Sequence, residues 1–147
     1  MTRALRILAA AVALGAPLTA LADAAVTQPV TNPDFELGFE AIKAKDWDQA
    51  VSYLSRYVNV DPVSADAQNL LGYAYRNQKK YDLAFRHYKE ALRIDPKHKG
   101  AHEYIGETYL LVGDKAKAQE HLEALERICT RRCDEYQDLA RAIAQAK

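Results

Sequence analysis

An all-α solenoid of three helix-turn-helix units, closed by a C-terminal capping helix, is the fold class that this sequence predicts. Gly38, Gly72 and Gly106 recur 34 residues apart, and Ala50, Ala84 and Ala118 repeat in the same frame. Asp61-Pro62 and Asp95-Pro96 punctuate the first two units at matching positions. Within a unit the apolar residues fall at helical spacing, as in Leu70, Leu71, Ala74 and Tyr75, then Leu83, Ala84, Tyr88, Ala91 and Leu92. Self-similarity at such a period marks a stack of like units, each burying its apolar face on the next.

Taken from the N-terminus, the first element differs from the rest. Arg3 and Arg6 precede an apolar run from Ile7 to Leu21, broken only by Gly15, Pro17 and Thr19. That run is too short to span roughly 30 Å of hydrocarbon, and Ala20-Leu21-Ala22 supplies the small residues of a cleavage site, so residues 1–22 read as a signal peptide cut after Ala22. Pro17 and the polar turn at Asp23 disfavour the alternative of an uncleaved anchor. No Cys follows the small residues and the two arginines are not adjacent, which points to ordinary secretory export and a periplasmic or secreted product without stable membrane insertion. Residues 23–30, with Pro29 and no periodicity, read as a flexible leader.

The three units run over residues 31–64, 65–98 and 99–132. Glycine within a helix costs about 1 kcal/mol against alanine, so its recurrence implies a neighbouring helix too close for a side chain, with the recurring alanine as the expected facing partner. Leu37, Leu71 and Ile105 share one slot, Leu54, Tyr88 and Leu122 a second, and Val60, Ile94 and Ile128 a third; all are expected to pack inward. Lys79-Lys80 and Gly113-Asp114 mark hairpin turns, while Pro62 and Pro96 end the second helices. Residues 133–147 form the cap: Tyr136, Leu139, Ala140 and Ile143 make one stripe, with Gln137, Asp138, Arg141 and Gln145 opposite.

This pattern resembles the tetratricopeptide repeat, a 34-residue helix-turn-helix unit with a small residue at its eighth position and alanine at its twentieth. The second unit matches best, through Leu71, Gly72, Tyr75, Tyr81, Ala84, Tyr88, Ala91 and Pro96. Tyr57 and Leu125 depart from the third small position, Thr130 from the closing proline, and Asp34, Gln68 and His102 fill the slot where the family carries tryptophan. The resemblance implies a protein-binding role, with the first helices lining a concave surface that takes an extended peptide or a helix. Its groove slots fall on Phe35, Glu36, Phe39 and Lys43, on Asn69, Tyr73, Arg76 and Asn77, and on Glu103, Tyr104 and Glu107. The slots of the family's carboxylate clamp hold Phe35, Phe39, Leu70, Gly100 and Tyr104, so the expected ligand is read through apolar and aromatic contacts, with Arg76 and Asn77 orienting its polar groups. Aromatic residues at helical spacing serve equally as core, and Phe35, Phe39 and Tyr104 carry both readings.

Cys129 and Cys133 are four residues apart. On an unbroken helix their Cβ atoms would lie about 5–6 Å apart, beyond the roughly 3.8 Å of a bridge, so a disulfide requires the helix to stop between them, where the repeat frame places a boundary. The competing reading is a thiol-redox or metal-handling accessory factor acting through this pair. His87, His98, His102 and His121 read as exposed scaffold positions with no metal set. No cofactor is implied: the sequence lacks a Gly-rich phosphate loop, an H-E-x-x-H motif and a nucleophile elbow, which argues against an enzyme. Twenty basic and twenty acidic residues without a basic block argue against nucleic acid as partner. Self-association through the solenoid faces remains an open alternative.

Overall fold

The computed structural model describes residues 32–146; the expected signal peptide at 1–22 and leader at 23–30 lie outside them. Seven α-helices follow in order: α1 (Asp34–Lys43), α2 (Trp47–Val60), α3 (Ala65–Asn77), α4 (Tyr81–Ile94), α5 (Lys99–Leu111), α6 (Lys115–Cys129) and α7 (Asp134–Gln145), with a 3₁₀ turn over Thr130–Arg132. No strand occurs among the described residues. The helices pair as α1–α2, α3–α4 and α5–α6, each hairpin packs on the next through α2–α3 and α4–α5, and α7 closes the stack against α5 and α6.

Local chemistry sets the helix starts. The side chains of Asp46, Ser64 and Asp114 accept from the backbone N–H groups of Gln49, Ala67 and Lys117, satisfying donors that a helix start leaves open. At α5 the same task falls to His98, whose Nδ1 accepts from Ala101 N at 3.0 Å. The turns inside the three hairpins all pass through the left-handed region at one slot, with φ of 58° at Lys45, 60° at Lys79 and 83° at Gly113. Only the third uses the residue that adopts this conformation without cost.

The core follows the repeat frame, with Ala50, Ala84 and Ala118 at 0% exposure. The residue facing each glycine differs from the expectation, however. A Cβ on Gly38 would lie 2.6 Å from Leu54 Cγ, and one on Gly72 would lie 2.6 Å from Tyr88 Cδ1. The facing side chain therefore stands one helical turn beyond the alanine, whose own small size lets the hairpin close. At Gly106 the nearest atoms belong to Leu139 of α7, with Cδ2 at 2.7 Å. Two inward expectations also fail. Leu37 is 42% exposed because no earlier hairpin covers α1 among the described residues, and Val60 is 72% exposed at the C-terminal end of α2.

Helix α6 stops at Cys129, and Thr130 takes φ 63° where the first two units carry proline. The reversal brings the cysteine sulfurs into bonding contact with Cα atoms 5.9 Å apart, a separation that an ordinary bridge spans.

Candidate functional site: the concave face

Helices α1, α3 and α5 present the groove slots. In α1, Phe35 is half-buried, packed on the first core cluster with its ring 5.2 Å from Tyr57 of α2, and so contributes mainly to the core. Phe39 is 45% exposed with the Lys43 ammonium 5.6 Å from its ring, and Glu36 faces solvent. Phe35 and Phe39 border a hollow of about 230 Å³ completed by Asp66, Asn69 and Leu70 of α3. Asn69 is buried, and its Oδ1 lacks a hydrogen-bond partner among the described residues.

The middle of the face is aromatic and holds one cation. The Tyr73 ring lies 6.0 Å from Trp47 and 4.9 Å from Tyr104, linking all three units. The Arg76 guanidinium sits 5.0 Å from the Tyr73 ring and 5.4 Å from the Tyr104 ring, and it is ion-paired with Glu107. Stacking on two rings while paired to a carboxylate holds a guanidinium in place. Arg76 is thus engaged within the protein, and Asn77 likewise donates to Tyr73 O at 2.8 Å. These two side chains, expected to orient a ligand, thus have partners within the protein while still lining the open cleft beyond them.

Glu103 is buried, and no hydrogen bond or ion pair joins it to another described residue. Burial, reinforced by repulsion from Glu107, Asp138 and Glu135, pushes its carboxyl up to about 8, so it is largely protonated at neutral pH. Burial also raises Tyr104 to about 12, with Glu103 adding to the effect. The face continues into a cleft of about 510 Å³ lined by Arg76, Asn77 and Glu107 together with Leu110 and Leu111 of α5 and Ala142 of α7. Leu111 is 57% exposed there. Helix α7 therefore walls this cleft as well as capping the stack, and Trp47 stands behind Tyr73; neither role is signalled by the repeat pattern.

The histidines are not the exposed positions expected of them; all four are partly buried and engaged. His87 Nδ1 lies 2.8 Å from Gln68 Oε1, His98 caps α5 and reaches Asp66, and His102 meets His121. A signal for this existed. Gln68 with His87 and His102 with His121 are both 19 residues apart in successive units, so the two pairs are one repeated contact.

The cysteine pair stands in its disulfide form, the oxidised state of a dithiol couple. Cys129, Cys133 and Glu135 bring one ligand atom each to within 4.8 Å of one another, but the sulfurs are bonded together and Glu135 is 3.1 Å from the Lys99 ammonium.

Two family models, each described as tetratricopeptide repeat, match residues 35–99 and 75–143. A curated human protein, the protein O-mannosyl-transferase TMTC3, is 27% identical over 75 residues, covering 51% of this chain and only 8% of its own length. Among solved structures, the TPR2B domain of yeast Sti1 in complex with pHsp70 is 20% identical at a TM-score of 0.67, over 78% of this chain and 95% of that one. PcrH in complex with the chaperone binding region of PopD is 22% identical at a TM-score of 0.66, over 76% and 84%. Identities this low establish the shared fold, and the overlapping family matches establish the lineage: the chain belongs to the tetratricopeptide repeat family.

Proposed function

We propose that this chain is a cell-envelope scaffold, exported by its first 22 residues, that holds an extended segment or a helix of a partner protein along the concave face of α1, α3 and α5. The observation that carries this reading is the aromatic wall formed by Tyr73 and Tyr104 around Arg76, flanked by the exposed Phe39 and Leu111. Rigid aromatic and arginine surfaces beside apolar hollows are what concentrate binding energy at protein interfaces. The fold relatives from yeast Sti1 and PcrH were solved with partner-derived polypeptide, which supports the same use of the fold here. An oxidising envelope also suits a Cys129–Cys133 bridge, which would pin α7 to the end of α6.

The reading specifies how the ligand is bound. Because Arg76 and Asn77 are engaged internally, affinity comes from apolar side chains set against Phe39, Tyr73 and Leu111. The test begins with affinity purification from the native envelope, followed by calorimetry with overlapping peptides of the partner recovered. Phe39→Ala and Leu111→Ala should each weaken the peptide at least about tenfold while leaving the helical spectrum intact. Unchanged affinity in both folded variants would remove the concave face from consideration.

A further inference from the structure

The contact between His102 of α5 and His121 of α6 takes no part in the groove. Their Nδ1 atoms are 3.0 Å apart, and His102 Nε2 lies 3.1 Å from the carbonyl oxygen of Pro96. A carbonyl can only accept, so the His102 proton resides on Nε2 and its Nδ1 presents a lone pair toward His121. The His121 Nδ1–H then donates into that lone pair. Both rings are neutral at pH 7: burial lowers both pKa values, His121 to about 4, with His102 as its second cause.

Two neutral imidazole nitrogens at this separation also match a metal chelate. Metal–nitrogen bonds of roughly 2.0–2.1 Å set two ligand nitrogens about 2.9 Å apart at the right angle of a tetragonal ion and about 3.3 Å apart at a tetrahedral one, which brackets the distance here. The Pro96 carbonyl also suits a ligand histidine, because ligating histidines commonly donate the far ring N–H to a carbonyl or carboxylate that fixes the tautomer. The His121 ring is itself held by stacking on Tyr109, 5.8 Å away and 20° from parallel.

We propose that His102 and His121 form a two-histidine site for a divalent transition-metal ion that clamps α5 to α6. Binding requires His121 to move its proton from Nδ1 to Nε2 through solvent and both rings to turn, because the two Nδ1 groups point at each other along the hydrogen bond and must be re-aimed at a common ion; no net proton is released. Water would fill the other positions; His102 also lines a solvent-open hollow of about 350 Å³ with Pro96, Lys97 and Arg127. The neighbouring charges temper the site: Arg127 and His98 act against added positive charge at His102, and Asp95 favours it. Among first-row ions the order of affinity places Cu²⁺ above Ni²⁺ and Zn²⁺.

The experiment is thermal unfolding and Cu²⁺ titration of the full chain at pH 7.5, with the absence of free thiol verified beforehand. Cu²⁺ should raise the melting temperature, and its electron paramagnetic resonance spectrum should show coupling to two nitrogens. His121→Ala and the shape-conserving His102→Gln should each lower Cu²⁺ affinity at least about tenfold, as loss of a ligand or its support does. His87→Ala and the double variant Cys129→Ser/Cys133→Ser should leave it unchanged. Equal Cu²⁺ affinity in folded His121→Ala and His102→Gln, or binding lost only in the cysteine variant, would overturn the proposal.

Discussion

Replacing Gly72 by alanine tests the packing logic on which the stack depends. The added Cβ would lie 2.6 Å from both Cδ1 and Cε1 of Tyr88, against an optimum of about 3.5–4.0 Å for carbon contacts. The ring must withdraw by about 1 Å, yet Tyr88 is at 0% exposure. Overpacking of a tight core costs about 1–3 kcal/mol, and a double contact with an enclosed ring belongs near the upper end. Alanine regains about 1 kcal/mol of helix propensity, leaving a net loss of about 2 kcal/mol. For a domain of this size that corresponds to a drop of about 8 °C in melting temperature. Urea unfolding followed by circular dichroism reads the loss as a shift in midpoint with an unchanged slope. A cycle with Tyr88→Ala isolates the cause, because with the ring removed the same glycine substitution should stabilise by about 1 kcal/mol. A neutral or stabilising Gly72→Ala in the wild-type background would refute close approach as the reason for the repeated glycine.

Two further outcomes follow from the C-terminal part of the fold. With its carboxyl near 8 against an ordinary 4.5, Glu103 keeps a proton in the folded state that the unfolded chain releases, so stability declines as pH climbs from about 4.5 to about 8. Glu103→Gln should therefore raise the melting temperature at pH 8 and leave it nearly unchanged at pH 4.5; an equal shift at both values would show that the buried charge is not the cause. The double variant Cys129→Ser/Cys133→Ser should lose about 2 kcal/mol, the chain-entropy value for so small a loop. Hydrogen exchange should locate that loss in α7, and full protection of α7 in the variant would exclude the bridge as its anchor.

The repeat frame was legible because glycine and alanine at helix crossings answer a steric demand that recurs with every hairpin. The boundary at Cys129 was legible from the same frame, since Cys129 holds the slot of Asp61 and Asp95. Other features depend on which side chain crosses a gap, and periodicity does not report that. Leu139 took the place opposite Gly106 because α7 packs directly on α5, a contact between elements related by no repeat. Lys45 and Lys79 sit in left-handed turns that their residue type does not advertise, and only Gly113 signals the slot. In the groove, the aromatic slots were readable as a class, whereas the engagement of Arg76 by Glu107 and two tyrosine rings required the relative placement of α3 and α5.

The chain of rings through Trp47, Tyr73 and Tyr104 bears on how the array comes apart. In a linear stack each hairpin answers only to its neighbours, so melting ordinarily advances inward from a free end. Tyr73 belongs to the central hairpin but leans on both flanking ones, which makes that hairpin the keystone. Fraying at either extremity leaves it supported from the other side, and its own loosening would release the two wings together.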